Sequence, residues 1–148
     1  MKLAIGCDHG GFDMKEALVA YLRGQGHEVK DFGSYDKNSI DYPDYVFPVA
    51  EGVARGDFDR GVVICTTGIG VSIAANKVRG IRCALVTDEY SARMTREHND
   101  TNMLALGANV TTVIRAEGIV DIWLGEPFSH GERHQRRIDK ISAYENTH

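Results

Sequence analysis

Gly61-Val62-Val63-Ile64-Cys65 is a continuous apolar run that opens into Thr66-Thr67-Gly68-Ile69-Gly70-Val71-Ser72. A short strand that is apolar at every position must be covered on both faces, which is the condition of an inner strand in a parallel sheet. Gly68 and Gly70 at its exit permit a tight or positive-φ turn into a following helix, and the N–H groups of such a turn can converge on an anion. One segment thus points both to a sheet built from βα units and to a candidate ligand turn at the sheet's C-terminal edge.

The rest of the chain repeats the same alternation of short apolar runs and amphipathic stretches. Strands are expected at Lys2–Cys7, His27–Phe32, Arg82–Thr87 and Asn102–Leu106 beside the central Gly61–Cys65 run. Helical spacing of apolar residues is found over Phe12–Arg23, Glu89–His98 and Thr111–Leu124, and a further short helix is expected from about Ile73 to Lys77. A helix from Tyr42 to Arg55 is expected to be capped by Asp41, with Pro43 suited to its first turn and Pro48 predicting a kink or a late start. A last helix, Glu132–Tyr144, carries few apolar positions and is expected to rest on a partner subunit. The fold class that follows is a three-layer α/β/α, Rossmann-like domain covering residues 1–148, with a five-stranded parallel sheet.

Composition removes several function classes. The net charge is −4, so no global basic field recruits nucleic acid or an anionic membrane surface. No apolar run approaches the ~20 residues a spanning helix needs, and the N-terminus turns polar too early for a signal-peptide core. The three cysteines Cys7, Cys65 and Cys83 cannot all pair with one another, and a reducing cytoplasm is the expected location. The six histidines are scattered, with no metal-ligand spacing, so neither metal nor cofactor is expected.

Ligands of open parallel sheets bind beyond the carboxyl ends of the strands. Reactive groups stand at three such ends: Asp8-His9, Cys65-Thr66-Thr67 and Thr87-Asp88. The turn after Cys65 lacks Gly-x-x-x-x-Gly-Lys, and Ile73 occupies the place of a third dinucleotide-fingerprint glycine, so neither nucleotide motif applies. Cys7 and Cys83 lie in strands and read as core cysteines. Cys65 differs, because a helix N-terminus beside it favours thiolate and thus a base role. Near the C-terminus Arg133 and Arg137 are four apart on one helical face, with His134 between them. Taken alone, such a charge run is more often a solvated helix face; its functional reading is a phosphate clamp.

Five separated motifs then resemble one family. Asp8-His9-Gly10-Gly11, Asp41-Tyr42-Pro43, Cys65 to Lys77, Glu97-His98-Asn99-Asp100 and Gly131 to Arg137 are similar, in the right order from Met1 to about Tyr144, to the type B ribose-5-phosphate isomerases and their allose- and galactose-6-phosphate relatives. The resemblance implies a metal-free aldose–ketose isomerase working through a cis-enediolate. It makes Cys65 the base, has Thr67 assist proton movement, and gives His98 the opening of the sugar ring. The amides from Gly68 through Ile69, Gly70 and Val71 to Ser72 would hold the enediolate. Asp8, Tyr42, Thr66 and Asn99 would contact the sugar, and His9, Arg133 and Arg137 the phosphate. It also implies a homodimer with shared sites, and leaves pairing into tetramers open. Two positions depart from the family pattern: Thr66, where glycine is usual, and Asn109, where pentose-phosphate members commonly carry arginine. Isomerisation of a 6-phosphohexose, or non-catalytic phosphosugar binding, are the alternative readings.

Overall fold

The computed structural model describes residues 1–148. Strand β1 (Lys2–Cys7) leads through a single 3₁₀ turn at His9–Gly11 into α1 (Phe12–Gly24), then β2 (Glu28–Asp31) and α2 (Pro43–Ala54). The central run is β3 (Arg60–Cys65), followed by α3 (Ile69–Ala75), β4 (Cys83–Leu85), α4 (Glu89–Asn99), β5 (Met103–Gly107), α5 (Val113–Gly125) and α6 (Glu132–Thr147). All strand pairs are parallel, in the order β2-β1-β3-β5-β4. The chain leaves β1 in one direction to form β2 and returns past it to form β3. The crevice between the ends of β1 and β3 is therefore the topological switch point, where ligands of such sheets bind.

Side-chain alternation along the strands divides the core into two layers. Leu3, Ile5, Val62, Ile64, Leu104 and Leu106 pack with α1 and α5 on one face, around the fully buried Trp123. Val63, Cys65, Met103 and Ala105 face α2 and α3 on the other. The strand β3 is buried on both sides, as its composition requires, and truncating Ile64 to alanine there is expected to cost ~2–5 kcal/mol.

Several expectations are corrected in detail. α3 begins at Ile69 rather than Ile73, because Gly68 takes up φ +79 and turns the chain straight into the helix. The N-cap of α2 is Tyr42 and not Asp41, whose backbone carbonyl instead accepts from Asp44 N–H at 3.2 Å. Of the two expected consequences of Pro48, the late start is not found: the helix starts at Pro43 and runs through Pro48. Edge strand β4 is shorter than expected, and the Asn76 side chain pairs with it like a missing strand: it accepts from Cys83 N–H at 2.8 Å and donates to Cys83 O at 2.9 Å. α6 packs on α4 through Ile138, its one buried residue, and leaves Ile141 and Tyr144 exposed. No helix is long and apolar enough to cross a membrane.

Candidate active site

The turn after β3 is held from several sides. Cys65 is 5% exposed, and its Sγ accepts a hydrogen bond from Gly68 N–H at 3.1 Å. Thr67 Oγ1 accepts from Ile69 N–H at 3.2 Å, while Ser72 N–H closes the first helical bond to Gly68 O, also at 3.2 Å. That leaves the N–H groups of Gly70 and Val71 without any partner in the chain. Of the five amides from Gly68 to Ser72, these two remain available to an oxyanion.

Close packing explains why glycine stands where it does. A Cβ on Gly68 would come within 2.4 Å of Leu85 Cδ1, in a left-handed backbone that disfavours side chains. A Cβ on Gly107, at the end of β5, would lie 2.6 Å from the Thr67 carbonyl. The loop beyond β5 is fastened to the same turn: Ala108 N–H donates to Cys65 O at 2.9 Å, and Asn109 N–H to Thr66 O at 3.0 Å. Gly107 carries no reactive group, and only this long-range approach reveals its part in shaping the turn.

Residues from the end of β1 join this cluster. Asp8 is buried, with Oδ1 accepting from Gly11 N–H at 3.1 Å. The Thr66 hydroxyl fills a notch over Gly10, where a Cβ would sit only 2.3 Å from Oγ1. His9 Nδ1 accepts from Ile40 N–H at 3.3 Å, so the ring proton of neutral His9 is on Nε2. Tyr42 lays its ring over Gly70, where a Cβ would meet Cζ at 2.7 Å. Asp8, Thr66, Tyr42 and the Cys65 turn thus form one continuous patch at the switch point.

The other expected residues gather elsewhere. His98, at the end of α4, stacks on His134 of α6 with ring centroids 4.2 Å apart and planes 13° apart. Desolvation pushes the His134 imidazole below its ordinary range, assisted by the positive neighbours His98, Arg133 and Arg137. Arg133 and Arg137 are exposed and have no carboxylate within ion-pair distance. Asn99 is exposed, and its carbonyl accepts from Arg82 Nε at 2.9 Å. Arg82 was not legible as a site neighbour; with Arg96, which reaches Asp100 Oδ1 at 2.8 Å, it clamps the end of the helix that carries His98. No hydrogen bond or ring contact within the chain joins this group to the Cys65 turn. The cavities of the single chain are lined by none of Cys65, Thr67, His98, Arg133 or Arg137; the largest, about 640 Å³, follows the outer face of α6 beside Arg136.

Cys7 is the core cysteine it was expected to be, whereas Cys83, on the short edge strand β4, is only partly buried against the core. Burial pushes the Cys7 thiol up to about 11 and the Cys83 thiol up to about 12, so both stay protonated near neutrality.

Known proteins match this arrangement over its whole length. Residues 3–141 fit the family model described as Ribose/Galactose Isomerase. The chain is 49% identical to ribose-5-phosphate isomerase B of Escherichia coli over 144 residues, covering 97% of this chain and 96% of that one. The solved ribose-5-phosphate isomerase B of Clostridium thermocellum superposes with a TM-score of 0.97 at 52% identity, covering 99% of each chain. That of Mycoplasma genitalium, with bound ribulose 5-phosphate, gives 0.93 at 41% identity, with 98% of this chain and 96% of that one covered. By class, then, the chain is an aldose–ketose isomerase of parallel α/β fold. It belongs to the ribose/galactose isomerase family.

Proposed function

We propose that this isomerase interconverts D-ribose 5-phosphate and D-ribulose 5-phosphate in the cytoplasm, with Cys65 as the base. The observation that carries the reading is the Cys65 Sγ on the Gly68 N–H, next to two unbonded N–H groups and a hydroxyl. A proton beside a carbonyl is weakly acidic, so the base needs preorganised donors that receive the charge as it develops.

The Cys65 thiolate takes the proton from carbon 2 of the open-chain aldose. The electron pair forms the carbon 1–carbon 2 double bond and leaves the negative charge on O1, where the Gly70 and Val71 N–H groups stabilise it. Thr67 relays the O2 proton to O1, and the thiol then returns its proton to carbon 1 as the ketone forms at carbon 2. Asp8, Tyr42, Thr66 and Asn99 orient the sugar, His98 opens the ring, and His9 Nε2–H meets the phosphate with Arg133 and Arg137. The phosphate lies away from the reacting carbons, so its binding energy positions them.

The separation of the two clusters within one chain supports a homodimer in which α6 of one chain completes the Cys65 site of the other. Exposed apolar side chains suit such an association: Ile69 and Ile73 on successive turns of α3 are 53% and 55% exposed, and Tyr144 on α6 is 66% exposed. Pairing of two dimers into a tetramer is compatible with the same surfaces.

A second reading, turnover of a 6-phosphohexose, draws on the Thr66 side chain and the exposed Asn109 beside it. The deciding experiment compares kcat/KM of EDTA-treated protein on ribose 5-phosphate, allose 6-phosphate and galactose 6-phosphate. A clear preference for the pentose is expected. Preference for a hexose would move the assignment to the second reading, and binding without any turnover would leave a phosphosugar-binding module.

A further inference from the structure

A fully buried cation stands close behind the site and takes no part in the chemistry proposed above. Lys15, on α1, is 0% exposed and shares the buried face of that helix with Leu18, Val19 and Leu22. Its Nζ donates to both oxygens of Asp31, at 3.0 and 2.8 Å, and to Ser34 O at 2.8 Å, with Glu16 Oε1 at 2.9 Å. A buried ammonium is costly unless its donors are all used, and the cost of removing it falls on the partners left behind.

Those partners begin the segment that runs from β2 to α2. Asp31 Oδ1 also accepts from Gly33 N–H at 2.8 Å, and Ser34 N–H donates to Cys7 O at 2.9 Å, immediately before Asp8-His9. Further along, the Ser34 hydroxyl donates to Asp36 O at 3.2 Å and Asn38 N–H to Asp36 Oδ1 at 2.9 Å. The segment then delivers Ile40 N–H to His9 Nδ1 and ends at Tyr42, whose ring covers Gly70.

We infer that Lys15 is a positioning residue for substrate binding: through Asp31 and Ser34 it fixes the segment over residues 33–41, and through Ile40 that segment holds His9 with Nε2–H presented to the phosphate. The inference rests on the isomerase reading for the ligand that His9 meets, but the Lys15-to-Ile40 connection stands on geometry alone. It separates two kinds of loss. Lys15 has no contact with the Cys65 turn, so its removal acts on KM and leaves the chemical step.

The test uses Lys15→Met and Lys15→Arg in the full chain, with Asp31→Asn as a second way to open the clamp should Lys15→Met fail to fold. Ile119→Ala, a cavity on α5 that touches none of the Lys15, Asp31 and Ser34 hydrogen bonds, provides a stability control. Amide hydrogen exchange at Ile40 is read beside kcat and KM on ribose 5-phosphate. Faster exchange at Ile40, a KM raised about tenfold with kcat within about twofold, and partial recovery in Lys15→Arg are expected. The control should lower the melting temperature and leave KM unchanged. Unchanged exchange at Ile40, or faster exchange with the parent KM, overturns the inference. Absence of parent turnover on ribose 5-phosphate would instead count against the substrate reading, and the Ile40 exchange would still decide whether Lys15 holds the segment.

Discussion

Around Cys65 the backbone is committed, whereas the arginines of α6 have no partner in their own chain. The turn is pinned by Gly68 on the thiol, by Ala108 and Asn109 on its carbonyls and by Gly107 pressed against Thr67, and only the Gly70 and Val71 N–H groups are left over. On the α4–α6 face, two unpaired arginines beside the stacked His98 and His134 concentrate positive charge on an acidic protein. One region holds the thiol and the free N–H groups but no arginine or lysine; the other holds the unpaired arginines and His98 but no thiol. The contrast is what the proposed shared site would require, with precision built where bonds change and long, hydrated side chains placed where a ligand's charge must be met.

The sharpest way to break the contrast is to remove the thiol. Cys65→Ser is expected to lower kcat by about 10²–10⁴-fold, as loss of a general base does, while a phosphosugar still binds. Steady-state turnover paired with calorimetric titration reads both, and parent-rate turnover would remove Cys65 from the base role. Changes on the other face should show the opposite signature. Arg133→Ala and Arg137→Ala each forfeit a charge-assisted contact of ~1.5–3 kcal/mol, which raises KM about 10–100-fold with a smaller change in kcat. Equal losses in kcat for both arginines would mean that they act at the reacting carbons.

A smaller effect probes rigidity alone. Gly107→Ala adds a methyl 2.6 Å from the Thr67 carbonyl, so backbone must shift. The expected stability loss is ~1–3 kcal/mol, with a fall in kcat and little change in KM, seen by thermal melting and kinetics. The smallest effect concerns pH. The folded-state value of His134 lies below its ordinary one of about 6.5, so its contribution to stability is complete above that pH and is lost as pH falls through the lowered value. The melting-temperature difference between parent and His134→Gln should therefore shrink from pH 7.5 toward pH 5, and a difference constant across that range would contradict the stacked arrangement.

Much of this was legible in the chain because local pattern and tertiary demand agree. The apolar run of β3 is buried on both faces, and Lys2–Cys7 forms a strand at the expected residues. Where they disagree, the reading slipped. Gly68-Ile69-Gly70 looks like loop, yet one glycine at positive φ starts α3 there. Asp41 looks like a cap, but Tyr42 is the residue at the helix start, with its ring packed on Gly70. Lys15 drew no reading at all: it falls on the face of α1 that carries Leu18, Val19 and Leu22, but the partners that close over it, Asp31 and Ser34, are distant in sequence. The arginines of α6 were visible as a charge pattern, but their lack of partners is a property of the folded chain.

The most direct measurement mixes two impaired proteins and reads activity on ribose 5-phosphate well below the parent KM, where loss of either the thiol or the arginines suppresses turnover. Cys65→Ser retains the arginines, and the Arg133→Ala/Arg137→Ala double variant retains the thiol. If α6 of one chain completes the turn of the other, each mixed dimer contains one intact site and one doubly damaged site. Unfolding and refolding an equimolar mixture should then restore about a quarter of the parent activity. Activity no greater than the mean of the two separate variants would show that thiol and arginines serve the same chain, and would contradict the account.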